Sequence, residues 1–282
     1  MNIYINNLTF SYGNGKNAHK ALDNVSLTIN EGEFFGIIGH TGSGKSTFIQ
    51  HLNGLMKIQS GEIKIGEYDL THKKCKFKEL RSKVGMVFQY PEYQLFAETV
   101  EKDIAFGLVN FFKDITEAEI KSRVADALAL VGLSYEELKD KSPFDLSGGQ
   151  KRRVAIAGVI VTRPEILILD EPSAGLDPSG KDEIMRLLHS LHKNCCKTII
   201  IISHDMDEIA ENCTKVAVFE NGKIACVKPP EQLFEDYERL INMGLDVPVT
   251  VKILNILKQK RPEIKANIFD YQKFVEEIIS LK

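Results

Sequence analysis

Short apolar runs and longer amphipathic stretches alternate along most of this chain. Ile3 to Ser11 and Ala21 to Ile29 are β-rich and partly alternating, with the turn-rich Gly13-Asn14-Gly15 between them. Two strands are expected there. Glu33 to Ile38 is a short apolar run ending on Gly39, the pattern of a buried strand. A helix is expected to open near Lys45, with Phe48, Leu52 and Leu55 or Met56 on its inner face. Gly61 to Ile65 and Val84 to Phe88 read as further strands, the second ending on Gln89.

The period then lengthens. Thr116 and Glu119 form a capping-box signal, and Ile120, Val124, Ala127, Leu128 and Val131 follow at helical spacing up to a stop at Gly132. This region, from about Thr99 to Gly158, interrupts strands that otherwise belong to one sheet, so an inserted helical subdomain is expected. The strand pattern resumes at Ile166 to Leu169, Thr198 to Ser203 and Val216 to Phe219. Between the first two, Pro178 to Lys193 places Ile184, Leu187, Leu188 and Leu191 on one helical face. Asn221-Gly222 before Ile224 to Val227 is a hairpin signal. Strands alternating with helices imply a mostly parallel, helix-flanked sheet.

The expected fold is therefore α/β: a mostly parallel core with N-terminal antiparallel strands, the helical insertion, and a short helical C-terminal extension. The main domain is expected over 1–235 and the extension over 236–282. Past Pro229-Pro230 two amphipathic helices are expected, one with Val249, Ile253, Ile256 and Leu257 on a face, the other with Tyr271, Phe274, Val275 and Ile278. Such faces are too small for a core of their own, so they should dock on the main domain or on a second subunit.

Composition narrows the class. The chain has 282 residues, a net charge of −3 and 43% hydrophobic residues, as in an ordinary globular protein. That charge argues against a nucleic-acid surface spread over the whole molecule. Five cysteines, an odd number without metal-ligand spacing, read as reduced thiols. There is no signal-peptide pattern, and the longest apolar runs fall far short of the ~20 residues that span a bilayer. Membrane association is expected to go through a partner.

The chemistry lies in three stretches. Gly39-His40-Thr41-Gly42-Ser43-Gly44-Lys45-Ser46-Thr47 is a phosphate-binding loop between a strand and a helix. Its glycines let backbone N–H groups wrap phosphates; Lys45 should reach the β- and γ-phosphates and Ser46 should ligate Mg²⁺. Ile166 to Leu169 then ends on Asp170-Glu171. Placed beside the phosphate-loop strand, Asp170 can hold Mg²⁺ through water, and Glu171 can orient or deprotonate an attacking water. Gln89 and His204 end strands at the same sheet edge, where ligands of such sheets bind. Gln89 can approach Mg²⁺ or the water, and His204 the γ-phosphate.

The third stretch is Leu146-Ser147-Gly148-Gly149-Gln150. It holds no acid, base or nucleophile, only a hydroxyl and backbone N–H groups ahead of a helix expected over about Gln150 to Val161. That helix N-terminus is a second anion site. Chance yields the phosphate-loop pattern in about one chain in a hundred and the pentapeptide in roughly one in several thousand, so their co-occurrence is not accidental. With the two on different subdomains, a head-to-tail dimer would sandwich each nucleotide between the loop of one chain and Ser147, Gly148, Gly149 and Gln150 of the other.

With these motifs the chain resembles the nucleotide-binding subunits of ATP-binding-cassette (ABC) transporters, over roughly residues 1 to 235. The resemblance implies a P-loop NTPase fold of ABC type, ATP and Mg²⁺ as cofactors, and hydrolysis coupled to transport. It implies that Tyr12 stacks on adenine and that Ser173-Ala174-Gly175-Leu176-Asp177 crosses a dimer interface. Ser173 stands where Thr is more common, and Lys151 after the signature is less usual; neither removes a catalytic group.

A narrower likeness is to energy-coupling factor (ECF) transporter ATPases. It rests on Gln50-His51-Leu52-Asn53-Gly54-Leu55, on Phe88-Gln89-Tyr90-Pro91-Glu92-Tyr93-Gln94-Leu95-Phe96 and on Gly244-Leu245-Asp246-Val247-Pro248. The variant His40-Thr41, with Ser142-Pro143-Phe144 and Val154-Ala155-Ile156-Ala157-Gly158 around the signature, resembles the second paralogue. This implies a motor for uptake of vitamins or other micronutrients, peripheral on the cytoplasmic side of the cell membrane. Its partners would be a paralogous ATPase, a transmembrane coupling subunit contacted by the segment after Gln89, and a substrate-binding membrane subunit. A cobalt or nickel importer is the near alternative. A soluble ABC ATPase acting on DNA or ribosomes would need a coiled-coil insertion or a second cassette, and a non-hydrolysing module would not keep Lys45, Asp170, Glu171 and His204.

Overall fold

A computed structural model describes residues 1–13, 15, 18–260, 274–276 and 279. Two sheets form the frame. The first is antiparallel, in the order β2-β1-β4-β5, from β1 (Ile3–Tyr12), β2 (His19–Ile29), β4 (Ser60–Ile65) and β5 (Tyr68–Asp69). The second runs β10-β9-β3-β8-β7-β6. In it β3 (Phe34–Gly39), β6 (Val84–Val87), β7 (Ile166–Asp170), β8 (Thr198–Ile202) and β9 (Lys215–Glu220) pair in parallel. Only β10 (Lys223–Lys228) is antiparallel, through the Asn221-Gly222 turn.

The parallel strands are apolar at nearly every position because both faces are covered. Successive side chains alternate between the two cores. Phe35, Ile37, Ile168, Ile200, Ile202 and Phe219 face the antiparallel sheet and α1 (Lys45–Leu52). Phe34, Ile38, Leu167, Leu169, Ile199, Ile201 and Val218 face the opposite core. That core also takes in α3 (Val100–Phe111), α4 (Glu117–Leu130), α5 (Tyr135–Leu138), α6 (Gly148–Ile160) and α7 (Pro178–Asn194). The remaining helices before the tail are α2 (Phe77–Lys83) and α8 (Met206–Asn212).

Three sequence expectations change. Leu55 lies outside α1, which ends at Leu52, and is exposed. β7 is not beside the phosphate-loop strand: β8 lies between β3 and β7. A parallel sheet sets strand order by its crossovers, which local residue pattern does not reveal. The signature helix starts two residues earlier than expected, at Gly148, because Ser147 caps it.

The tail also differs. Two short helices, α9 (Pro230–Leu233) and α10 (Tyr237–Asn242), precede α11 (Val249–Lys260). Leu233, Phe234, Leu240, Leu245, Val247 and Val251 join the core on the α7 side of the parallel sheet. In α11 Thr250, Val251 and Leu254 are buried, whereas Val249, Ile253 and Ile256 of the expected face are exposed. Leu257 is partly buried against Leu254 and Phe274. Tyr271 and Ile278 lie outside the described residues.

Candidate active site

β3 delivers the phosphate loop at its C-terminal end. Gly39 has φ 153° and a Cβ there would lie 2.4 Å from the Phe219 carbonyl oxygen; Gly44 has φ 102° and a Cβ would lie 2.4 Å from that of Ala21. The loop turns this tightly only with glycine at both positions. α1 then begins at Lys45 with no side-chain cap, so its first N–H groups face the loop.

An open cavity of about 490 Å³ lies over this turn. Thr41, Gly42, Gly44, Lys45, Ser46 and Thr47 line one side. Gln89, Asp170, Glu171 and His204 line the other, and Tyr12 and His19 the mouth. Gly39, His40 and Ser43 lie beneath, within the loop. Because β8 separates β3 from β7, the edge carries Lys45, His204 and the two acids in three successive strand ends.

Lys45 is 6% exposed, and its Nζ donates to the carbonyls of Gly39 at 2.6 Å and His40 at 3.0 Å. Burial lowers its pKa, opposed by the charges of Glu171 and Asp170. Asp170 is raised by burial, opposed by the Ser46 hydroxyl, Lys45 and His204. Ser46, Asp170 and Gln89 thus present a hydroxyl, a carboxylate and an amide to one space. Hard oxygen donors of this kind suit Mg²⁺, which takes few protein ligands and fills its shell with phosphate oxygens and water. Among the described residues no group of three His, Cys, Asp or Glu is placed to hold a metal ion.

Glu171 sits one residue past β7 in the left-handed region, with φ 53°. Its Oε2 accepts from the His204 backbone N–H at 3.3 Å. Nε2 of His204 lies 3.1 Å from Oε1. That approach lacks hydrogen-bond alignment, and buried Oε1 has no hydrogen-bond partner. Burial raises the pKa of Glu171 to about 7, helped by Asp170 and Glu208 and opposed by the His204 N–H and Lys45. His204 is itself lowered, by burial and then by Lys45, against Asp170, which favours a neutral ring. A carboxyl with a free, buried oxygen and a pKa near neutrality has the properties of a general base.

The signature residues are elsewhere. None of Ser147, Gly148, Gly149 or Gln150 lines the cavity. They open α6 in a closed capping box: Ser147 Oγ accepts from Gln150 N–H at 3.3 Å, and Gln150 Oε1 accepts from Ser147 N–H at 3.1 Å. Ser147, Gly148 and Gly149 are exposed, and a Cβ on either glycine would meet nothing within 4 Å. The Ser147 hydroxyl keeps its proton to donate.

Two features escaped sequence reasoning. His51 is fully buried, and its Nδ1 lies 2.7 Å from the Thr47 carbonyl oxygen. Its ring meets Phe10 edge-on at 4.8 Å, and Phe10 meets Tyr12 edge-on at 5.0 Å. Tyr12 Oη is 3.1 Å from Thr47 Oγ1, closing the circuit. Burial lowers the His51 pKa, so the ring is neutral. The other feature is Glu92. The sequence placed it in a partner-docking segment, but its carboxylate is bound by Arg152 on α6. Nothing in the local pattern links positions sixty residues apart.

Known proteins place the chain in a family. A family model described as ABC transporter matches residues 22–174. The chain belongs to the ABC transporter family. The energy-coupling factor transporter ATP-binding protein EcfA2 of Clostridium tetani is 50% identical over 282 residues, covering 100% of this chain and 97% of that protein. EcfA2 of Clostridioides difficile is 49% identical, covering 100% and 98%. Among solved structures, cbiO1 of Clostridium perfringens, part of the ABC transporter complex cbiONQ, aligns with a TM-score of 0.75 and 39% identity, covering 90% of this chain and 98% of that one. The dimeric ATP-binding cassette MJ0796 bound to ADP and Pi aligns with a TM-score of 0.71 and 30% identity, over 81% and 98%. This ABC protein binds ATP and hydrolyses it in support of transport, and among subfamilies it is most like the ECF ATPases.

Proposed function

We propose that this chain is the motor subunit of an ECF-type importer for vitamins or other micronutrients, working as half of an ATPase dimer beneath a membrane complex. One observation carries the dimer: the cavity gathers Lys45, Ser46, Gln89, Asp170, Glu171 and His204, while the exposed capping box at Ser147 lies outside it. An anion site that faces solvent, with no acid or base of its own, is complete only against a second cassette. Nucleotide then joins two chains and hydrolysis releases them.

In that reading Tyr12 stacks on the base, and the loop N–H groups with Lys45 hold the phosphates. Mg²⁺, when bound by Ser46, Asp170 and Gln89, would neutralise phosphate charge. Glu171 takes the proton of the attacking water, and His204 reports on the γ-phosphate. The partner cassette supplies the second signature; likeness to EcfA2 favours a paralogue.

The membrane side is read from α3 and the loop before it. Tyr93 is 83% exposed and Phe106 53% exposed; Phe96 and Val109 are exposed with them. Phe96 and Phe106 meet edge-on at 4.9 Å. An apolar group of this kind on a soluble face fits helices of a coupling subunit. No helix among the described residues is long and apolar enough to cross a membrane. A cobalt or nickel importer, the near alternative from the sequence, stays the second reading. The test is affinity purification from native membranes, followed by ATPase assay of the complex. A second cassette and a small substrate-binding membrane protein should co-purify, and Glu171→Gln should lower turnover by roughly 10²-fold or more while ATP still binds. Hydrolysis near the wild-type rate in that variant would assign the base elsewhere.

A further inference from the structure

We propose that Arg152 is a positioning residue that couples the partner-facing segment after Gln89 to the turn carrying Glu171. The inference rests on the docking reading above and adds how docking reaches the chemistry.

Arg152 lies on α6, five residues past the capping Ser147, and is 4% exposed. Its Nε donates to Glu92 Oε2 at 3.2 Å and its Nη2 to Glu92 Oε1 at 3.1 Å. The same Nη2 donates to the Ala174 carbonyl at 3.0 Å, and Nη1 donates to that of Pro172 at 3.3 Å. One buried guanidinium therefore joins three segments. Glu92 belongs to the 3₁₀ turn Pro91–Gln94, directly after Gln89 and Tyr90. Arg152 itself belongs to the signature helix. Pro172 and Ala174 flank Ser173 in the turn after Glu171, and Ala174 N–H donates to the Glu171 carbonyl at 3.1 Å.

The planar fork of Arg is what permits this. Its donors point in fixed, divergent directions, so a carboxylate and two carbonyls can be held at once; a Lys ammonium cannot reproduce the fork. Glu92 has a side chain only 18% exposed, so the carboxylate is an internal strut rather than a partner contact. Each end of the strut lies within two residues of one in an unusual backbone conformation. Tyr90 has φ 54° and Glu171 has φ 53°. Non-glycine residues keep this geometry only where neighbours hold it. A partner pressing on Pro91–Gln94 thus moves Glu92, Arg152 follows, and the carbonyls that Arg152 holds set the turn that aims Glu171. Catalysis by a positioned base is sensitive to such small displacements.

The test uses the chain co-expressed with its membrane subunits, comparing wild type, Arg152→Lys, Glu92→Gln and the double variant. ATPase rate is measured with and without the membrane subunits, together with KM for ATP, co-purification and thermal melting. Both single variants should fold, co-purify, and keep KM for ATP within about twofold. Stimulation by the membrane subunits should fall by roughly two- to thirtyfold, the span for residues in a coupling network. The double variant should lose little more than the worse single, since both break one link. Unchanged stimulation in complexes that still form overturns the coupling alone. So does a double loss equal to the product of the singles. Failure of Glu92→Gln to co-purify makes Glu92 a direct partner contact and overturns the strut. A wild-type chain that co-purifies with no membrane subunit overturns the docking reading, and this coupling with it.

Discussion

Two helix N-termini in this molecule face anions in different ways. α1 opens beneath the phosphate loop with no side-chain cap, a buried Lys45 in its first turn, and two carboxylates across the cavity. α6 opens on the surface, its first turn closed by a capping box and free of charge as far as Gln150. The first holds the groups that hold phosphate and activate water, and is buried enough to shift its pKa values. The second holds only donors. The division assigns chemistry to one region and recognition to the other, so the two serve one reaction only when supplied by different chains.

The sharpest way to break that division is to damage each end separately. Gly149→Asp adds a carboxylate where a Cβ meets nothing within 4 Å, near a helix N-terminus that tolerates negative charge, so folding should be unaffected. Facing phosphate, that charge should cut steady-state hydrolysis by the dimer on the order of 10²-fold, as removal of preorganised donors does. Nucleotide binding by the isolated chain, measured by calorimetry, should stay at wild type, whereas Lys45→Ala should lose it. A binding defect of the isolated Gly149→Asp chain would mean that both regions serve one site in cis.

Acidity separates the regions next. Among the described residues, the carboxyl raised to about 7 is that of Glu171, in the cavity. As the base it must be ionised, so kcat/KM, which reads the free enzyme, should fall roughly tenfold from pH 8 to pH 6. The same shift works against stability. Folded Glu171 keeps a proton that the unfolded chain, with a carboxyl at its ordinary value of 4.5, releases. Stability therefore falls as pH rises from about 4.5 towards 7. Glu171→Gln should melt higher than wild type at pH 8, and the gain should vanish near pH 4. An equal gain at both pH values would remove the buried charge as its cause.

What was legible follows the same line. The phosphate loop, Asp170-Glu171 and the signature are local strings: the first two end strands and the third opens a helix, as each string implies. The order of β3, β8 and β7 was not legible, because crossover topology leaves no mark on the strands it connects. Nor was the Arg152–Glu92 pair, which two distant segments create only by folding. The face of α11 was ambiguous for another reason. Apolar residues occupy both sides of that helix, and the contact of Val251 with the core that includes Leu245 and Val247 decides between them. Helical spacing offers two stripes, and tertiary packing selects one.

The smallest effect tests how finely the cavity is supported from below. His51 links α1 to Tyr12 through Phe10, and Tyr12 returns to Thr47 through its hydroxyl. His51→Phe keeps an aromatic edge against Phe10 but loses the donor to the Thr47 carbonyl. His51→Asn keeps a donor near the Nδ1 position but loses the ring. If ring contact holds the base platform, the Asn variant should raise KM for ATP about two- to fivefold with kcat nearly unchanged, since an aromatic pair contributes about 0.5–1.5 kcal/mol beyond its buried area. The Phe variant should then stay closer to wild type in KM. The reverse order would place the hold on Tyr12 in the Thr47 backbone rather than in the ring contact. Equal falls in kcat for both variants would move His51 from the base-binding side of the cavity to the phosphate side.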